Sequence, residues 1–428
     1  MRVLVVGQGG REHALCWKLK QSPLVKEIYA APGNAGIATV ADCVPIGVAD
    51  IIELADFAEK LKVDLTIVGP ELPLTLGIVD EFQKRGLSIF GPTRLAAELE
   101  GSKVFSKEFM RKYSIPTAEA IACNSTDEAR DALKKMRYPA VIKVDGLAGG
   151  KGVVIVNSKQ EAEDYLRMVF DEKKFGNAAD RILIEEFLTG EEVSFMAISD
   201  GKRVLPLAPA KDYKKAEDGD NGPNTGGMGA HSPAVVLNGE TAAEIMKTVI
   251  VPTIQGMATE GRVYTGVLYA GLMLTPDGPK VLEYNCRFGD PETQVQMLRL
   301  DSDLAEICLK VATGNLGDAK LAWRKEAAAC VVVSVEGYPN EHPLGQEVEI
   351  DAIDDESVVI FHAGTVRRGA KVINVAGRVI NVCARAATLS EALAKVYEAV
   401  PKIRFAGARY RHDIGFRVLE QRKQAAAE

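Results

Sequence analysis

Short apolar runs and longer segments of helical spacing alternate along the first part of the chain, residues 1 to about 92. The apolar runs end in Gly or Pro and read VLVVG, EIYAAPG, DLTIVGP and LSIFGP. Between them lie REHALCWKLKQS, DIIELADFAEKLK and LTLGIVDEFQKRG, whose apolar residues recur as on one face of a helix. This alternation predicts a parallel α/β (Rossmann-like) sheet with helices on its faces. Ligands of such sheets bind outside the carboxyl ends of the strands, so we expect a site at GQGGRE, APGNAG, GPELPL and GPT.

The rest of the chain mixes strands and helices without an internal repeat. A small α/β module is predicted at about residues 121–190, and its central hairpin reads VIKVDGLAGGKGVVIV. The segment AKDYKKAEDGDNGPNTGGMGAHSP has no usable periodicity, and we interpret it as an ordered loop over a substrate rather than a linker. We predict a multidomain protein with α/β and α+β parts, divided into residues 1–100, 101–325 and 326–428.

The glycine-rich hairpin loop has a composition typical of phosphate binding but matches neither common phosphate loop. A P-loop needs a glycine where this chain has Asp145 and a hydroxyl residue where it has Gly152. A dinucleotide fingerprint needs a glycine where Ala148 stands and a helix afterwards, whereas both flanks here read as strands. Loop glycines let backbone N–H groups approach an anion, and Lys143 and Lys151 add positive charge. The alternative is a flexible turn with an incidental lysine. The glycines concerned are Gly146, Gly149, Gly150 and Gly152.

Polar side chains alternate along the segment EYNCRFGDPET. Residues two apart on a strand share a face, so Glu283, Asn285 and Arg287 are expected to point the same way. Their neighbours Tyr284, Cys286 and Phe288 are then expected to point into packing. A carboxylate beside an amide oxygen suits Mg²⁺, and the planar fork of an arginine suits a carboxylate or phosphate. A solvated strand face with a surface ion pair is the alternative.

Two weaker signals lie at the ends of other strands. The segment LIEEFLTGEE offers backbone groups for a nucleotide base and a carboxylate for ribose hydroxyls, although acidic residues at strand ends are more often only solvated. In GQGGREHA, Glu12 stands where a dinucleotide fingerprint needs its third glycine. A helix N-terminus still binds phosphate, so we interpret this turn as a phosphomonoester site, with a tight packing turn as the alternative.

Composition narrows the class of protein. Across 428 residues the net charge is −7, with 47% hydrophobic and 26% charged residues, so neither nucleic acid nor an anionic membrane is the expected partner. No apolar run approaches the roughly 18 residues of a membrane span, and the N-terminus reads as a strand rather than a signal peptide. Seven scattered cysteines without a CxxC pair indicate a reduced, cytoplasmic protein without structural zinc. The five histidines have no ligand spacing, and we assign none a catalytic role.

In order and spacing, a set of motifs across the whole chain resembles the phosphoribosylamine–glycine ligase family of the ATP-grasp superfamily. The motifs are VVGQGGREHAL, APGNAG, TIVGPELPL, FGPT, LEGSK, DGLAGGKGV, IEEFLTGEE, GPNTGGMGA, YTGVLYAGLM, EYNCRFGDPETQ and FHAGT. The resemblance implies an N-terminal domain, an ATP-grasp core with a small lid, and a C-terminal domain. It also implies that ATP, glycine and 5-phosphoribosylamine are converted through a glycyl phosphate to glycinamide ribonucleotide, ADP and phosphate in purine biosynthesis. We expect a monomer that needs Mg²⁺ or Mn²⁺.

The resemblance carries site residues over by position. ATP phosphates are expected at Lys103, Lys143 and the flap formed by Gly146, Gly149, Gly150, Lys151 and Gly152. Adenine is expected at Glu185, Glu186, Phe187 and Leu188, and ribose at Glu191 or Glu192. The metal is expected at Glu283 and Asn285. Substrates are expected at Gly9, Gly10, Gly33, Asn34, Ala35, Pro223, Asn224, Thr225 and Gly226. Among catalytic groups, Lys143 neutralises charge, Arg287 clamps a carboxylate or phosphoryl group, and Asp212 and Asp290 lie near the amine.

The chain departs from the family pattern in several places. Gly149 stands where the family has alanine, and Tyr213 stands where it has histidine. A Gly-Gly-Arg-Val near the C-terminus begins with Ala376, and the strand YAGLML offers only Gly271 where many ATP-grasp enzymes carry an acid. The remaining alternatives are another ATP-grasp ligase, such as a carboxylase of a nucleotide or biotin, and a nucleotide-binding regulatory module. A nicotinamide oxidoreductase is disfavoured by the broken fingerprint.

Overall fold

The computed structural model of the protein describes residues 1–147, 152–176, 180–234 and 236–425, with side chains through residue 420. The first region forms the predicted parallel sheet of five strands. Its strands are β1 (Arg2–Gly7), β2 (Glu27–Pro32), β3 (Asp42–Cys43), β4 (Leu65–Val68) and β5 (Ile89–Phe90). Its helices are α1 (Gly10–Leu19), α2 (Ile51–Lys60), α3 (Glu71–Leu76), α4 (Ile78–Lys84) and α5 (Arg94–Gly101). One helix is predicted over LTLGIVDEFQKRG, but α3 and α4 are separate because Gly77 adopts a left-handed φ of 91°.

In the strand order β3-β2-β1-β4-β5, the chain builds outward from β1 on one side through β2 and β3, and then on the other side through β4 and β5. The succession of strands therefore switches sides between β1 and β4. The crevice outside the carboxyl ends of such a pair is where open α/β sheets bind ligands. The turn after β1 leads into α1, and the turn after β4 leads into α3. These two turns therefore line one crevice, as the sequence pattern predicts.

A small antiparallel sheet follows α6 (Lys103–Lys112). Its elements are β6 (Ala120–Cys123), α7 (Thr126–Leu133), β7 (Ala140–Val144), β8 (Val153–Val156), α8 (Lys159–Leu166) and β9 (Ile182–Glu186). The strand order is β6-β9-β7-β8, and β7 and β8 form the predicted hairpin. Helices α7 and α8 cover one face of this sheet with an apolar cluster. The opposite, inner face carries Lys143 and Glu185, which alternate with the packed residues.

The middle of the chain contributes a second antiparallel sheet and several short strands. In chain order its elements are β10 (Glu191–Asp200), β11 (Val204–Pro206), β12 (Lys211–Asp212), β13 (Lys215–Glu217), β14 (Asn221–Asn224), β15 (Gly229–Ser232), α9 (Gly239–Ile245), α10 (Val251–Thr259), β16 (Thr265–Thr275), β17 (Gly278–Asn285), α11 (Glu292–Arg299) and α12 (Leu304–Ala312). Four strands form a sheet in the order β11-β10-β16-β17. The segment without periodicity is not a plain loop, because it supplies β12 to β15.

The last region contains, in chain order, β18 (Ala327–Val335), β19 (Glu349–Ile350), β20 (Val358–His362), β21 (Thr365–Arg368), β22 (Lys371–Asn374), β23 (Arg378–Ala386), α13 (Leu389–Ala399), β24 (Ile403–Arg404), β25 (Ala408–Arg409) and α14 (Phe416–Ala425). Its main sheet runs β12-β15-β18-β23-β20, with β25 also paired to β18. Two strands from the middle of the chain thus belong to the sheet of the last region. The predicted division at residues 100 and 325 stays a prediction.

Among the described helices, none has both the length and the apolar character needed to cross a bilayer.

Candidate active site

Two lysines and one glutamate form a buried charged cluster beneath the inner face of the small sheet. Nζ of Lys143 on β7 lies 2.9 Å from Oε2 of Glu185 on β9, and Nζ of Lys107 on α6 lies 3.2 Å from Oε1 of the same carboxylate. Lys143 also donates to the backbone oxygen of Leu282 on β17, at 2.9 Å, so the small sheet contacts the sheet β11-β10-β16-β17 here. Burial lowers the pKa of Lys107 to about 8, although the charge of Glu185 opposes the shift.

Helix α6 positions a further lysine beside the hairpin. The helix begins at Lys103 because the hydroxyl of Ser102 accepts the backbone N–H of Phe105. Lys103 and Lys107 are four residues apart and therefore lie on the same side of the helix. Nζ of Lys103 donates to the backbone oxygen of Gly146, at 3.3 Å, where the hairpin loop begins. Burial lowers the pKa of Lys103, and Glu283 opposes this shift.

The predicted flap is only partly within the described residues. Gly146 and Gly152 are described, and the backbone oxygen of Gly152 accepts from Val144 at 2.8 Å. Gly149, Gly150 and Lys151 lie outside the described residues.

Large apolar side chains stand exposed around the same cleft. Leu147, Ile155 and Phe187 are 36%, 42% and 38% exposed. Ile155 pairs with Val141, two residues from Lys143, so it lies on the inner face of the sheet. Exposed apolar surface beside buried cations can bind a flat, weakly polar ring next to an anionic group.

Glu283 is surrounded by positive charge at the end of β17. Burial alone would raise its pKa, but Lys214, Lys143, Lys103 and Arg287 outweigh this effect and lower the pKa. Asn285 lies on the same face, and its Oδ1 accepts from Nη2 of Arg287 at 3.1 Å. The predicted inward side chains Tyr284, Cys286 and Phe288 are all buried.

Within the described residues, no three His, Cys, Asp or Glu side chains are close enough together to hold a metal ion by themselves. One carboxylate and one amide oxygen still fit Mg²⁺ or Mn²⁺, because Mg²⁺ commonly binds one or two carboxylates plus nucleotide phosphates. The positive charges that act on Glu283 outnumber this one carboxylate, so they can also attract such phosphates.

Arg287 is held by two carboxylates. Its Nε lies 2.9 Å from Glu71 at the start of α3, and its Nη2 lies 3.3 Å from Glu100 on α5. Burial opposes ionisation of Glu71, but Arg287 and Arg11 lower its pKa to about 2. The predicted clamp therefore lies in the crevice of the parallel sheet and carries a fixed positive charge there.

The two adjacent glutamates of β10 point to opposite faces. Glu191 pairs with Lys211, and Glu192 pairs with Lys214. Ser194, two residues beyond Glu192, is level with Gly271 on β16 and so with Glu283 on β17. Glu192 therefore shares the face of Glu283, and Glu191 does not.

Asp212 is near the same group of charges. The hydroxyl of Ser194 donates to its Oδ1 at 3.1 Å. Burial, with Glu292 and Glu192, raises the pKa of Asp212 to about 7, while Lys214 opposes the shift.

The start of α1 meets Asp290, which lies in the turn between β17 and α11. The backbone N–H of Gly9 donates to Oε2 of Glu12 at 2.5 Å, and that of Arg11 donates to Oδ2 of Asp290 at 3.4 Å. Two carboxylates thus accept from the first turn of the helix. They oppose an anion at this point and favour a hydroxyl or an amine.

Arg378, at the start of β23, links two predicted segments, GPNTGGMGA and EYNCRFGDPET, and its role was not identified from the sequence. Its Nη1 donates to the backbone oxygens of Gly226 at 2.7 Å and Asp290 at 2.9 Å, and lies 3.4 Å from the carboxylate of Asp290. The sequence shows it only as the arginine of AGRV, and its partners are about 90 and 150 residues away along the chain.

The other predicted substrate residues are distributed unevenly. The side-chain nitrogen of Asn34 donates to the backbone oxygens of Gln8 and His362, each at 2.9 Å, and its oxygen accepts from Gly36 and Ile37. Its neighbours Gly33 and Ala35 lie in the same turn after β2, and the N–H of Ala35 donates to Thr365 at 3.4 Å. Thr225 donates to the backbone oxygen of Lys214, whereas Pro223 and Asn224 lie exposed on β14.

Comparisons with known proteins match the whole chain. Family models for phosphoribosylglycinamide synthetase match in three parts, the N domain at residues 1–100, the ATP-grasp (A) domain at 101–293 and the C domain at 328–417. A phosphoribosylamine–glycine ligase of Haemophilus influenzae is 47% identical over 99% of this chain and 100% of its own length.

Solved structures give the same result. A phosphoribosylamine–glycine ligase from Thermotoga maritima has a TM-score of 0.83 at 34% identity, covering 96% of this chain and 100% of that one. A biotin carboxylase from Campylobacter jejuni has a TM-score of 0.73 at 16% identity, covering 96% and 92%, and shows the fold alone. The three family models and the full-length relatives agree, and the chain belongs to the phosphoribosylglycinamide synthetase family of ATP-grasp ligases.

Proposed function

We propose that the protein is an ATP-dependent ligase that joins glycine to 5-phosphoribosylamine and gives glycinamide ribonucleotide, ADP and phosphate in purine biosynthesis. One observation carries the proposal beyond the family: Lys103, Lys143 and Lys214 act together on the single carboxylate of Glu283. One buried and two half-buried lysines around one carboxylate suit the charge of nucleotide phosphates and a divalent cation.

ATP occupies the cleft between the two antiparallel sheets in this proposal. Lys103 and Lys143 contact the phosphates, and the flap from Gly146 to Gly152, with Gly149, Gly150 and Lys151, closes over them. Glu185, Glu186, Phe187 and Leu188 hold the adenine, supported by the exposed ring of Phe187. Glu192 rather than Glu191 holds the ribose, because Glu192 shares the face of Glu283.

Glu283 and Asn285 hold Mg²⁺ or Mn²⁺ together with the phosphates. When bound, the cation neutralises charge on the phosphoryl group that is transferred. Arg287 keeps its charge because it lies between Glu71 and Glu100, and it clamps the glycine carboxylate or the transferred phosphoryl group.

The reaction proceeds in two steps. The glycine carboxylate attacks the γ-phosphorus of ATP and ADP leaves, which gives glycyl phosphate. The amine nitrogen of phosphoribosylamine then attacks the glycyl carbonyl carbon, phosphate leaves with the electron pair of the broken C–O bond, and the nitrogen loses a proton. Asp212 and Asp290 lie near this amine. Catalysis is by positioning and charge neutralisation, and the closed flap excludes water from the acyl phosphate.

Phosphoribosylamine lies in the crevice of the parallel sheet. Gly9 and Gly10, the turn with Gly33, Asn34 and Ala35, and the segment with Pro223, Asn224, Thr225 and Gly226 surround it. The carboxylates at the start of α1 support an assignment of the amine or sugar hydroxyls, rather than the phosphate, to Gly9.

A coupled ADP-release assay tests the function. ADP is expected only when ATP, glycine and phosphoribosylamine are all present, and omission of any one should stop its release. Release with bicarbonate in place of glycine would instead support a carboxylase. Titration of Mg²⁺ with the Glu283→Gln enzyme is expected to need roughly tenfold more cation for half-maximal rate, a loss of about 1.4 kcal/mol. The exposed Glu349→Gln variant is the control.

Arg287 needs a test that separates chemistry from folding. Both Arg287→Lys and Arg287→Ala are compared by circular dichroism before kinetics, since each leaves Glu71 and Glu100 with a changed partner. Folded variants are expected to show a lower turnover or a raised KM for glycine. Unchanged values of both would refute the clamp.

We also propose that the protein is a cytoplasmic monomer. All seven cysteines are free and six are buried, which supports a reducing compartment. Sedimentation velocity that shows a dimer would refute the monomer.

A further inference from the structure

Four polar side chains from β12, β10, β16 and α11 form a continuous network of hydrogen bonds. The hydroxyl of Ser194 lies 3.1 Å from Oδ1 of Asp212 and 2.7 Å from the hydroxyl of Tyr269. The Tyr269 hydroxyl lies 2.7 Å from Oε1 of Glu292 at the start of α11. Ser194, Tyr269 and Glu292 are buried and Asp212 is half-buried, so solvent does not complete the part of the network from Ser194 to Glu292.

The number of protons in this network decides whether all of its hydrogen bonds can form. Three hydrogen bonds link the four side chains, and each needs one proton between its two oxygens. The two hydroxyls supply only two protons, because an ionised carboxylate is an acceptor alone. With Asp212 and Glu292 both ionised, one pair of oxygens would face each other without a proton. A third proton, on one of the two carboxyl groups, allows all three hydrogen bonds to form.

The same count shows that the network has two forms in which all three hydrogen bonds are made. A proton on Glu292 makes every hydroxyl point toward Asp212, which is then ionised. A proton on Asp212 reverses all three bonds and leaves Glu292 ionised. The charged groups around Asp212 are Lys214, Glu192 and Glu292, and Arg378 acts on Glu292 from β23. Each end therefore has a cation that can stabilise the ionised form there.

We propose that Asp212, Ser194, Tyr269 and Glu292 hold one shared proton, and that storing it at Glu292 leaves Asp212 free to accept the proton of the amine. This inference rests on the proposed function, which puts Asp212 beside the amine. The new C–N bond forms as the C–O bond to phosphate breaks, and the N–H proton moves to Asp212. Asp212 then gives that proton to solvent or to the departing phosphate. Ser194 and Tyr269 are positioning residues, since they act through the two carboxyl groups.

Burial and the charges of Glu292 and Glu192 raise the pKa of Asp212 to about 7, which describes the form with Glu292 ionised. In that form the third proton resides on Asp212, as the count of hydrogen bonds allows. An acid with this pKa can change its protonation state at neutral pH.

The test removes the Tyr269 hydroxyl and uses a matched control on the next strand. Tyr284 on β17 is also buried. Its hydroxyl contacts Thr253 at 2.6 Å and is not part of the network. The variants are Tyr269→Phe and the control Tyr284→Phe. A third variant, Ser194→Ala, interrupts the network at a second position. Infrared difference spectra of the enzyme without nucleotide, with ¹³C-labelled aspartate or glutamate, detect a protonated carboxyl group at neutral pH. This readout is independent of activity.

The wild type and Tyr284→Phe are expected to show the protonated carboxyl band, and Tyr269→Phe and Ser194→Ala to lose it. In kinetics, Tyr269→Phe is expected to lower kcat by roughly tenfold or more, to shift the pH profile and to leave the KM for ATP unchanged. A retained band in Tyr269→Phe, or an equal loss in Tyr284→Phe, would overturn the inference. Absence of glycine-dependent ADP release would overturn the proposed function instead, and the band would still report the shared proton.

Discussion

Nζ of Lys107 lies 3.2 Å from the carboxylate of Glu185, which is also 2.9 Å from Nζ of Lys143. One negative charge thus aligns two lysines, of which Lys143 lies on the hairpin strand β7 and Lys107 on helix α6. Lys107 makes a second hydrogen bond, at 2.7 Å, to the hydroxyl of Thr117. Lys107 is buried, and it acts on Lys143 through the shared carboxylate of Glu185.

This arrangement has a consequence for ATP binding at alkaline pH. Lys107 has a pKa lowered to about 8, so it is charged below pH 8 and loses its charge above it. As the pH rises through 8, Glu185 loses one of its two cations, and the KM for ATP is expected to increase several-fold. Arginine stays charged over this range, so Lys107→Arg should show a flat KM between pH 7 and 9. A similar rise in both enzymes would show that another group titrates. The exposed Lys135→Arg variant controls for general effects of lysine replacement.

Arg378 is expected to matter for phosphoribosylamine and not for ATP. Arg378→Ala removes the donor that joins Gly226 to Asp290, so the KM for phosphoribosylamine should rise by tenfold or more, a loss of about 1.4 kcal/mol. The KM for ATP should change less than twofold. Steady-state kinetics with each substrate varied in turn measures both. Arg368→Ala, an exposed arginine on β21, is the control, and equal effects on the two substrates would contradict the assignment.

Gly10 has no room for a side chain. A Cβ there would lie 2.7 Å from Nε2 of Gln294 and closer still to Nδ2 of Asn381, and both residues are buried. Gly10→Ala is therefore expected to lower the free energy of unfolding by about 1–3 kcal/mol and to weaken phosphoribosylamine binding. Gly239→Ala, where nothing lies within 4 Å, is the matched control and should be neutral. Urea unfolding of both variants measures the difference, and equal midpoints would contradict the packing argument.

Asp212 is expected to make the fold less stable as the pH rises. Its pKa is raised to about 7 in the folded protein, against about 3.9 in an unfolded chain. Between these values the folded state binds the extra proton, so the contribution of Asp212 is fully present below about pH 4 and is lost as the pH rises through 7. Asp212→Asn cannot ionise and should gain more in Tm over wild type at pH 8 than at pH 5. Differential scanning fluorimetry measures this, with the exposed Asp180→Asn as control, and an equal gain at both pH values would contradict it.

Two features could be predicted from local sequence: the parallel sheet and the shared face of the proposed metal ligands. Alternation along EYNCRF predicts the shared face of Glu283 and Asn285, because side chains on a strand have a period of two. The parallel sheet follows from alternating runs that end in Gly or Pro. The family motifs then supply the reaction, since neither period specifies a substrate.

Other parts depend on contacts between distant residues. Strands β12 and β15 are two and four residues long and carry polar residues, so their sequence contains no strand period. Arg378 and Tyr269 gain their meaning from partners far along the chain. Lys107 is different, because its spacing of four from Lys103 on a helix is a signal that the sequence does contain.

The sheet that runs β12-β15-β18-β23-β20 has a consequence for any shortened version of the protein. A fragment ending at residue 325 would keep β15 but lose β18, and the main-chain groups of Gly229 to Ser232 would become an open, pairing-prone edge. Such a fragment is expected to associate with other copies through that edge. The fragment would also lose Arg378, which holds Gly226 against Asp290. The last hundred residues thus complete a sheet that begins in the middle of the chain, and they supply a side chain that orders the substrate segment.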